Sequence, residues 1–190
     1  VLGFFLLIFD QLKYYHLLPW GKMREFLYNI KRANYIIYSN TNKFAKPAIH
    51  NYLTKYVNNI SISSIMKPVL MKYDGIKYEK VDSFDKEIFA FCGIGTPESF
   101  FLSAEDLNLK IIGKKVFLDH EKYTSSTLEK LLIAIENSNC RNIVTTEKDI
   151  IKIPYQFIKQ FQFYIIKIDM VFENDKLIQS LVKEVFPSLN

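Results

Sequence analysis

Phe117-Leu-Asp-His-Glu-Lys-Tyr-Thr124 joins an apolar, strand-like run, Lys110 to Phe117, to an amphipathic helix in which Leu128, Leu131, Leu132 and Ile135 recur at i, i+3, i+4 and i+7. A strand that hands over to a helix across one short polar turn is the repeating half of an α/β fold. The turn holds Asp119 and His120 at the strand's carboxyl end, which is where open parallel sheets bind their ligands. It also sets a carboxylate beside the side chain that ordinarily titrates near neutral pH. Two readings of Asp119 stand at this point: a turn or capping residue in a solvated loop, or the partner of a working histidine.

The same pattern extends to either side. Ile88 to Cys92 reads as a strand, Gly93-Ile-Gly-Thr-Pro97 as a glycine turn, and Thr96 with Pro97 as the cap and first turn of a helix with apolar Phe100, Phe101, Ala104 and Leu107. Downstream, Thr124 or Ser126 caps the amphipathic helix, with Ser126 and Glu129 spaced as a capping box. Asn142 to Thr145 is a further short strand, closed by Thr146-Glu-Lys-Asp149. A last strand, Phe163 to Ile168, and a helix carrying Leu177, Ile178, Leu181, Val182 and Val185 complete a βαβαβ pattern that begins at Glu87. Right-handed crossovers predict that the Gly93, Asp119-His120 and Thr146 loops share one edge of a mostly parallel sheet.

Each loop has a functional and a structural reading. Gly93-Ile-Gly95 could approach a nucleotide, yet it lacks the third glycine of a dinucleotide fingerprint and equally suits a tight strand-to-helix turn. Thr145, Thr146 and Lys148 offer hydroxyls and a cation beside a helix start, suited to a phosphate or to an ordinary cap. No Walker A sequence occurs in these residues.

Ahead of Glu87 the pattern is less regular. Leu2 to Phe9 reads as a buried strand, and a start at Val1 inside an apolar run is what a chain cut before its first strand would show. Nine apolar residues ending at Asp10 are too few to span a bilayer. Pro19 and Gly21 mark a loop, and Met23 to Ile30 has helical spacing, which puts Arg24 and Glu25 in a first helical turn. Asn34 to Tyr38 is a second strand, and Pro47 opens a helix to Val57 with His50 beside its apolar face. Asp74-Gly75, between Ile60–Tyr73 and Ile76–Val81, predicts a β-hairpin.

The 190 residues are 49% hydrophobic and 15% aromatic, enough to fill a core, and the formal charge of +5 favours an anionic partner. No run of five Lys/Arg residues occurs, which speaks against nucleic acid. Cys92 and Cys140 lack CxxC or His spacing and suit a reducing compartment rather than a metal site.

Taken together, Leu17-Leu-Pro-Trp-Gly-Lys-Met-Arg-Glu25, Phe91-Cys-Gly-Ile-Gly-Thr-Pro-Glu-Ser-Phe-Phe101, Phe117-Leu-Asp-His-Glu-Lys-Tyr-Thr124 and Val144-Thr-Thr-Glu-Lys-Asp149 resemble, in that order, the tetraacyldisaccharide 4′-kinase family of lipid A biosynthesis. The resemblance implies an α/β chain with a three-layer α/β/α Rossmann-like lobe at 87–190, a β-hairpin connector at 60–86 and, at 1–59, the remnant of an N-terminal P-loop lobe. It further implies transfer of the ATP γ-phosphate to the 4′-hydroxyl of a lipid disaccharide, with Mg²⁺, at the cytoplasmic face of the bacterial inner membrane. On matching positions, Glu25 would help hold Mg²⁺, Asp119 and His120 would face the reacting groups, Arg24, Thr145, Thr146 and Lys148 would meet phosphate or lipid, and Gly93 and Gly95 the nucleotide. The family's usual Asp-His-His reads Asp119-His120-Glu121 here, and its Gly-Asn-Pro reads Gly95-Thr96-Pro97. The P-loop, the aspartate expected to act as base and the paired aspartates expected at the metal would precede Val1, so the resemblance implies that this portion alone is inactive. The alternative is a non-catalytic α/β module that binds an anionic partner.

Overall fold

The computed structural model describes residues 6–9, 17–20, 25–33, 35–39 and 60–185. Arg24, the expected helix from Pro47 to Val57 and His50 lie outside the described residues. The chain divides into two compact units, residues 1–67 with 170–190, and residues 68–169. This grouping differs from the division drawn on the sequence: residues 68–86 belong with the second unit, and the last helix belongs with the first.

In the first unit, β1 (Leu6–Phe9) pairs in parallel with β2 (Tyr35–Tyr38), which pairs in parallel with the opening residues, Ile60–Ser63, of β3 (Ile60–Tyr73). The segment expected as an α-helix over 23–30 is instead a 3₁₀ helix at Leu27–Arg32, and Glu25 precedes it. Phe26 and Tyr28 are exposed and stack on each other at 5.7 Å.

The second unit is the α/β lobe. Its sheet runs β3, β8 (Gln162–Phe172), β7 (Asn142–Thr146), β5 (Glu87–Cys92), β6 (Lys110–Val116). The β8–β7, β7–β5 and β5–β6 pairs are all parallel. β4 (Tyr78–Lys80) folds back antiparallel on β3 as the Asp-Gly signal predicts, with Asp74 Oδ1 accepting from the Ile76 and Lys77 amides at 2.8 and 2.7 Å. Gly75 has φ +98, and a side chain there would also run into the Tyr155 ring, so both backbone and space demand glycine.

The central strands alternate between two cores, which is why they read as continuous apolar runs. Phe89, Phe91, Ile143, Phe163 and Ile165 face one cluster, while Ile88, Ala90, Cys92, Val144, Tyr164 and Ile166 face the other. Helix α1 (Pro97–Asp106) covers the second cluster through Phe100 and Ala104. Helix α2 (Ser125–Asn137) covers the first through Leu131 and Ile135, helped by Ile150 of α3 (Glu147–Ile150) and Phe157 and Ile158 of α4 (Tyr155–Ile158). This is the three-layer α/β/α arrangement expected. Two details differ from expectation. The N-cap of α2 is Thr124, Ser126 lies within the helix, and no side-chain cap bond forms, so there is no capping box. In α5 (Asp175–Val185), Leu181 is buried but Val182 is exposed.

Candidate functional site

Register fixes where the three loops leave the sheet. Cys92 lies opposite Val116, Ala90 lies opposite Val144, and the Phe117 amide donates to the Cys92 carbonyl at 2.8 Å. The Gly93 turn, the Leu118–Tyr123 turn and the Thr146 turn therefore all emerge at the carboxyl edge of β5, β6 and β7, as the strand order predicts.

Asp119 and His120 form the outermost of these turns. The His120 side chain is 88% exposed and that of Asp119 52% exposed. Asp119 Oδ1 accepts the His120 backbone amide at 3.0 Å, while His120 Nε2 stands 3.7 Å from Asp119 Oδ2. That separation is electrostatic rather than a hydrogen bond. His120 has φ +61 and Tyr123 φ +46. Positive φ also occurs at Asn108 and Asn139, but those follow the ends of α1 and α2, where a left-handed residue commonly terminates a helix. At Asn108 the bonds Asn108 N–H to Glu105 O and Leu109 N–H to Ala104 O complete that ending. His120 and Tyr123 have no such role, and left-handed backbone outside a helix end concentrates where function requires it.

Beneath this turn lies a buried polar cluster centred on Asp149, which has no exposed surface. Asp149 Oδ2 accepts the Gly93 amide at 2.9 Å and the Thr146 hydroxyl at 2.7 Å, and Lys152 Nζ stands 3.4 Å from Oδ1. The Thr146 Oγ1 also accepts the Asp149 amide at 3.1 Å, capping α3. A buried carboxylate needs such donors, because desolvation otherwise costs several kcal/mol. The Thr145 hydroxyl is buried without a hydrogen-bond partner, and the buried Tyr123 hydroxyl lies beside the Asp149 carboxylate. Burial first, and then the Asp149 carboxylate beside it, pushes the Tyr123 phenol up from its ordinary range.

These contacts decide what the sequence-predicted residues can offer. The Gly93 N–H and the Thr146 hydroxyl, expected at a nucleotide or phosphate, are occupied by the protein's own carboxylate. Thr145 is fully buried with its hydroxyl inside. Gly95 is exposed, and a Cβ placed on it would lie 3.1 Å from Asp119 Oδ2, so the two turns rest against each other there. Lys148 is exposed. Residues 68–169 thus present an Asp119–His120 turn and a lysine at their carboxyl edge, and in their glycine turn the Gly93 amide is taken by Asp149.

In the first unit, exposed Glu25 accepts from Asn29 Nδ2 at 3.0 Å and lies 3.9 Å from Arg32 Nη1. Among the described residues no three His, Cys, Asp or Glu side chains gather as metal ligands. Glu25 offers one carboxylate, already engaged, where Mg²⁺ asks for octahedral oxygen. The further oxygen ligands that an octahedral Mg²⁺ takes are not gathered around Glu25 by the described residues. No helix among them is long and apolar enough to cross a membrane.

The buried Cys92 thiol is pushed up to about 11, first by burial and then by Asp149. An acid whose folded pKa lies above its ordinary value of 9.0 supports the fold below pH 9 and withdraws that support as pH climbs toward 11. Urea melts should show stability falling across that window, by on the order of 2 kcal/mol from this group. Cys92→Ala should flatten the fall; an unchanged slope would remove Cys92 as its cause.

The family model described as tetraacyldisaccharide-1-P 4'-kinase matches residues 5–186. The chain belongs to this family. Among curated tetraacyldisaccharide 4'-kinases, that of Desulfotalea psychrophila is 29% identical over 140 residues, 71% of this chain and 40% of the relative. The Chlorobaculum tepidum enzyme is 34% identical over 134 residues, 70% of this chain and 37% of the relative. That of Rickettsia bellii reaches 44% over 69 residues, 36% of this chain and 21% of the relative. The chain thus spans about two-fifths of the length of these 4'-kinases where the match is longest. A crystal structure titled "apo" form LpxK from Aquifex aeolicus in complex with ATP superposes with a TM-score of 0.65 at 19% identity, over 95% of this chain and 52% of that one, and shows the shared α/β fold. For this 4'-kinase family member, sequence reasoning overlooked Asp149, Tyr123 and Lys152. The Thr146-x-x-Asp149 spacing was the available signal, since Thr three residues before an acid marks a helix cap.

Proposed function

We propose that these residues form part of a tetraacyldisaccharide 4'-kinase, which transfers the ATP γ-phosphoryl group to the 4′-hydroxyl of tetraacyldisaccharide 1-phosphate in lipid A biosynthesis. The family match over residues 5–186 carries this reading. In this reading the protein works at the cytoplasmic face of the inner membrane, where a formal charge of +5 favours anionic lipid.

Phosphoryl transfer demands positioning and charge neutralisation more than covalent chemistry. Residues 68–169 supply groups for the acceptor hydroxyl. The exposed His120 imidazole orients or exchanges a proton with the group that activates the acceptor hydroxyl, and Asp119 Oδ2, 3.7 Å away, favours the imidazole's charged form. Lys148 offers a cation to an anionic substrate at the same edge. Donor phosphates are not assigned to Gly93 or Thr146, whose donors are taken by Asp149. Glu25 and Arg24 remain assigned to metal and phosphate by resemblance alone.

The test is transfer of radiolabelled phosphate from ATP to tetraacyldisaccharide 1-phosphate by the full-length protein. Label appearing in the 4′-phosphate is the expected result. A protein that binds the acceptor lipid and transfers nothing would favour a binding module instead.

A further inference from the structure

Gly93 is where three loops meet. A Cβ built on it would lie 3.1 Å from the Leu118 carbonyl oxygen, 3.2 Å from the Tyr123 hydroxyl and 3.3 Å from Asp149 Oδ1. Each of those oxygens comes from a different part of the carboxyl edge: the start of the His120 turn, its end, and α3. The Gly93 amide points into the same cluster and donates to Asp149 Oδ2. Two residues on, Gly95 abuts the Asp119 carboxylate. The contacts form one chain, Lys152 and Thr146 to Asp149, Asp149 to Gly93, and Gly95 to Asp119.

The cap of α3 is Thr146, so starting that four-residue helix does not require a carboxylate at Asp149, and burying one completely is costly. The cost is intelligible if the carboxylate's work is across the sheet edge, 56 residues away in sequence. We propose that Asp149 is a positioning residue: its buried carboxylate, held by Thr146 and Lys152, fixes the Gly93–Gly95 turn as the platform on which the Asp119–His120 turn rests. The anchor stands on geometry alone, and only its effect on turnover rests on the kinase reading.

Amide hydrogen exchange on the isotope-labelled 190-residue chain tests the anchor directly. Asp149→Asn should speed exchange of the Gly93 amide about tenfold, the loss of roughly one net hydrogen bond. It should also shift the Asp119 and His120 signals while leaving the Val144 and Ile165 amides protected. Because a substitution at a buried charge can unfold the chain, Thr146→Val provides a second reading. It removes the hydroxyl that donates to Asp149 and caps α3 without touching the charge, and should speed Gly93 exchange where Thr146→Ser, which keeps the hydroxyl, does not. An unchanged Gly93 rate in both Asp149→Asn and Thr146→Val would overturn the proposal. So would a rise shared equally by the strand amides, which marks general destabilisation.

In the full-length protein, Asp149→Asn should lower kcat by roughly tenfold or more, as a small misplacement of a reacting group does, with KM values little altered. A raised KM at unchanged kcat would contradict a positioning role. If the unsubstituted protein transfers no phosphate, the kinase reading fails, and the exchange data still decide the anchor.

Discussion

Replacing His120 with alanine in the full-length protein is expected to lower phosphate transfer by roughly 10²–10⁴, the usual worth of a positioned acid–base group. The same change should alter stability by no more than about 0.5 kcal/mol, as for other exposed positions. The separation follows from the geometry. The His120 side chain is 88% exposed and approaches Asp119 only at 3.7 Å, so folding gains little from it. Alanine has no advantage over histidine at φ +61, so the substitution does not relieve the turn. Asp119→Asn should reduce turnover less, because it removes the charge that stabilises the imidazolium but leaves the imidazole. Melting curves paired with radiolabelled transfer assays separate the two effects. Turnover close to normal in His120→Ala, or a rate loss matched by unfolding, would make His120 an ordinary loop residue.

Phe91→Ala should do the opposite, with stability lost first. Phe91 is completely buried, and its ring meets those of Phe117 at 6.2 Å and Tyr123 at 5.8 Å, which in turn meet each other at 5.4 Å. These three rings are the floor beneath the His120 turn. Removing the central one leaves a cavity that a sheet held on both faces cannot close, at a cost of about 3–5 kcal/mol. That is a large part of the roughly 5–15 kcal/mol that stabilises a typical domain. Leu118→Ala, at a side chain 80% exposed, should cost no more than about 0.5 kcal/mol. Urea unfolding of the two variants makes the comparison. A Phe91→Ala loss below about 1 kcal/mol would mean that the rings do not support the edge as described.

The fold was legible where burial on both faces of a sheet writes itself into composition. β5, β7 and β8 read as apolar runs because alternate residues such as Phe89 and Ala90 enter different cores. The Gly93, Asp119 and Thr146 turns were legible because strand order alone assigns them to one edge. What each turn does was not legible. A charged residue in a short polar segment looks solvated, and Asp149 is buried only because Gly93 folds over it from another loop. That tertiary contact engages the Gly93 amide and the Thr146 hydroxyl internally, while the neighbouring His120 side chain stays exposed. The apolar spacing around Leu27–Arg32 reads as an α-helix, whereas the backbone there is a 3₁₀ helix and Phe26, one of the spaced apolar residues, is exposed.

The central claim is that the carboxyl edge of β5, β6 and β7 is the face at which this family member meets its substrates. Amide and side-chain signals of the labelled full-length protein, followed as ATP and then the acceptor disaccharide are added, test it most directly. The account predicts shifts concentrated at Gly95–Pro97, Leu118–Glu121 and Lys148. The amino edge of the same strands, where Lys86, Asn139 and Arg141 line a concavity of about 400 Å³, should stay silent. Shifts centred on Asn139–Asn142, with His120 unmoved by either substrate, would contradict it.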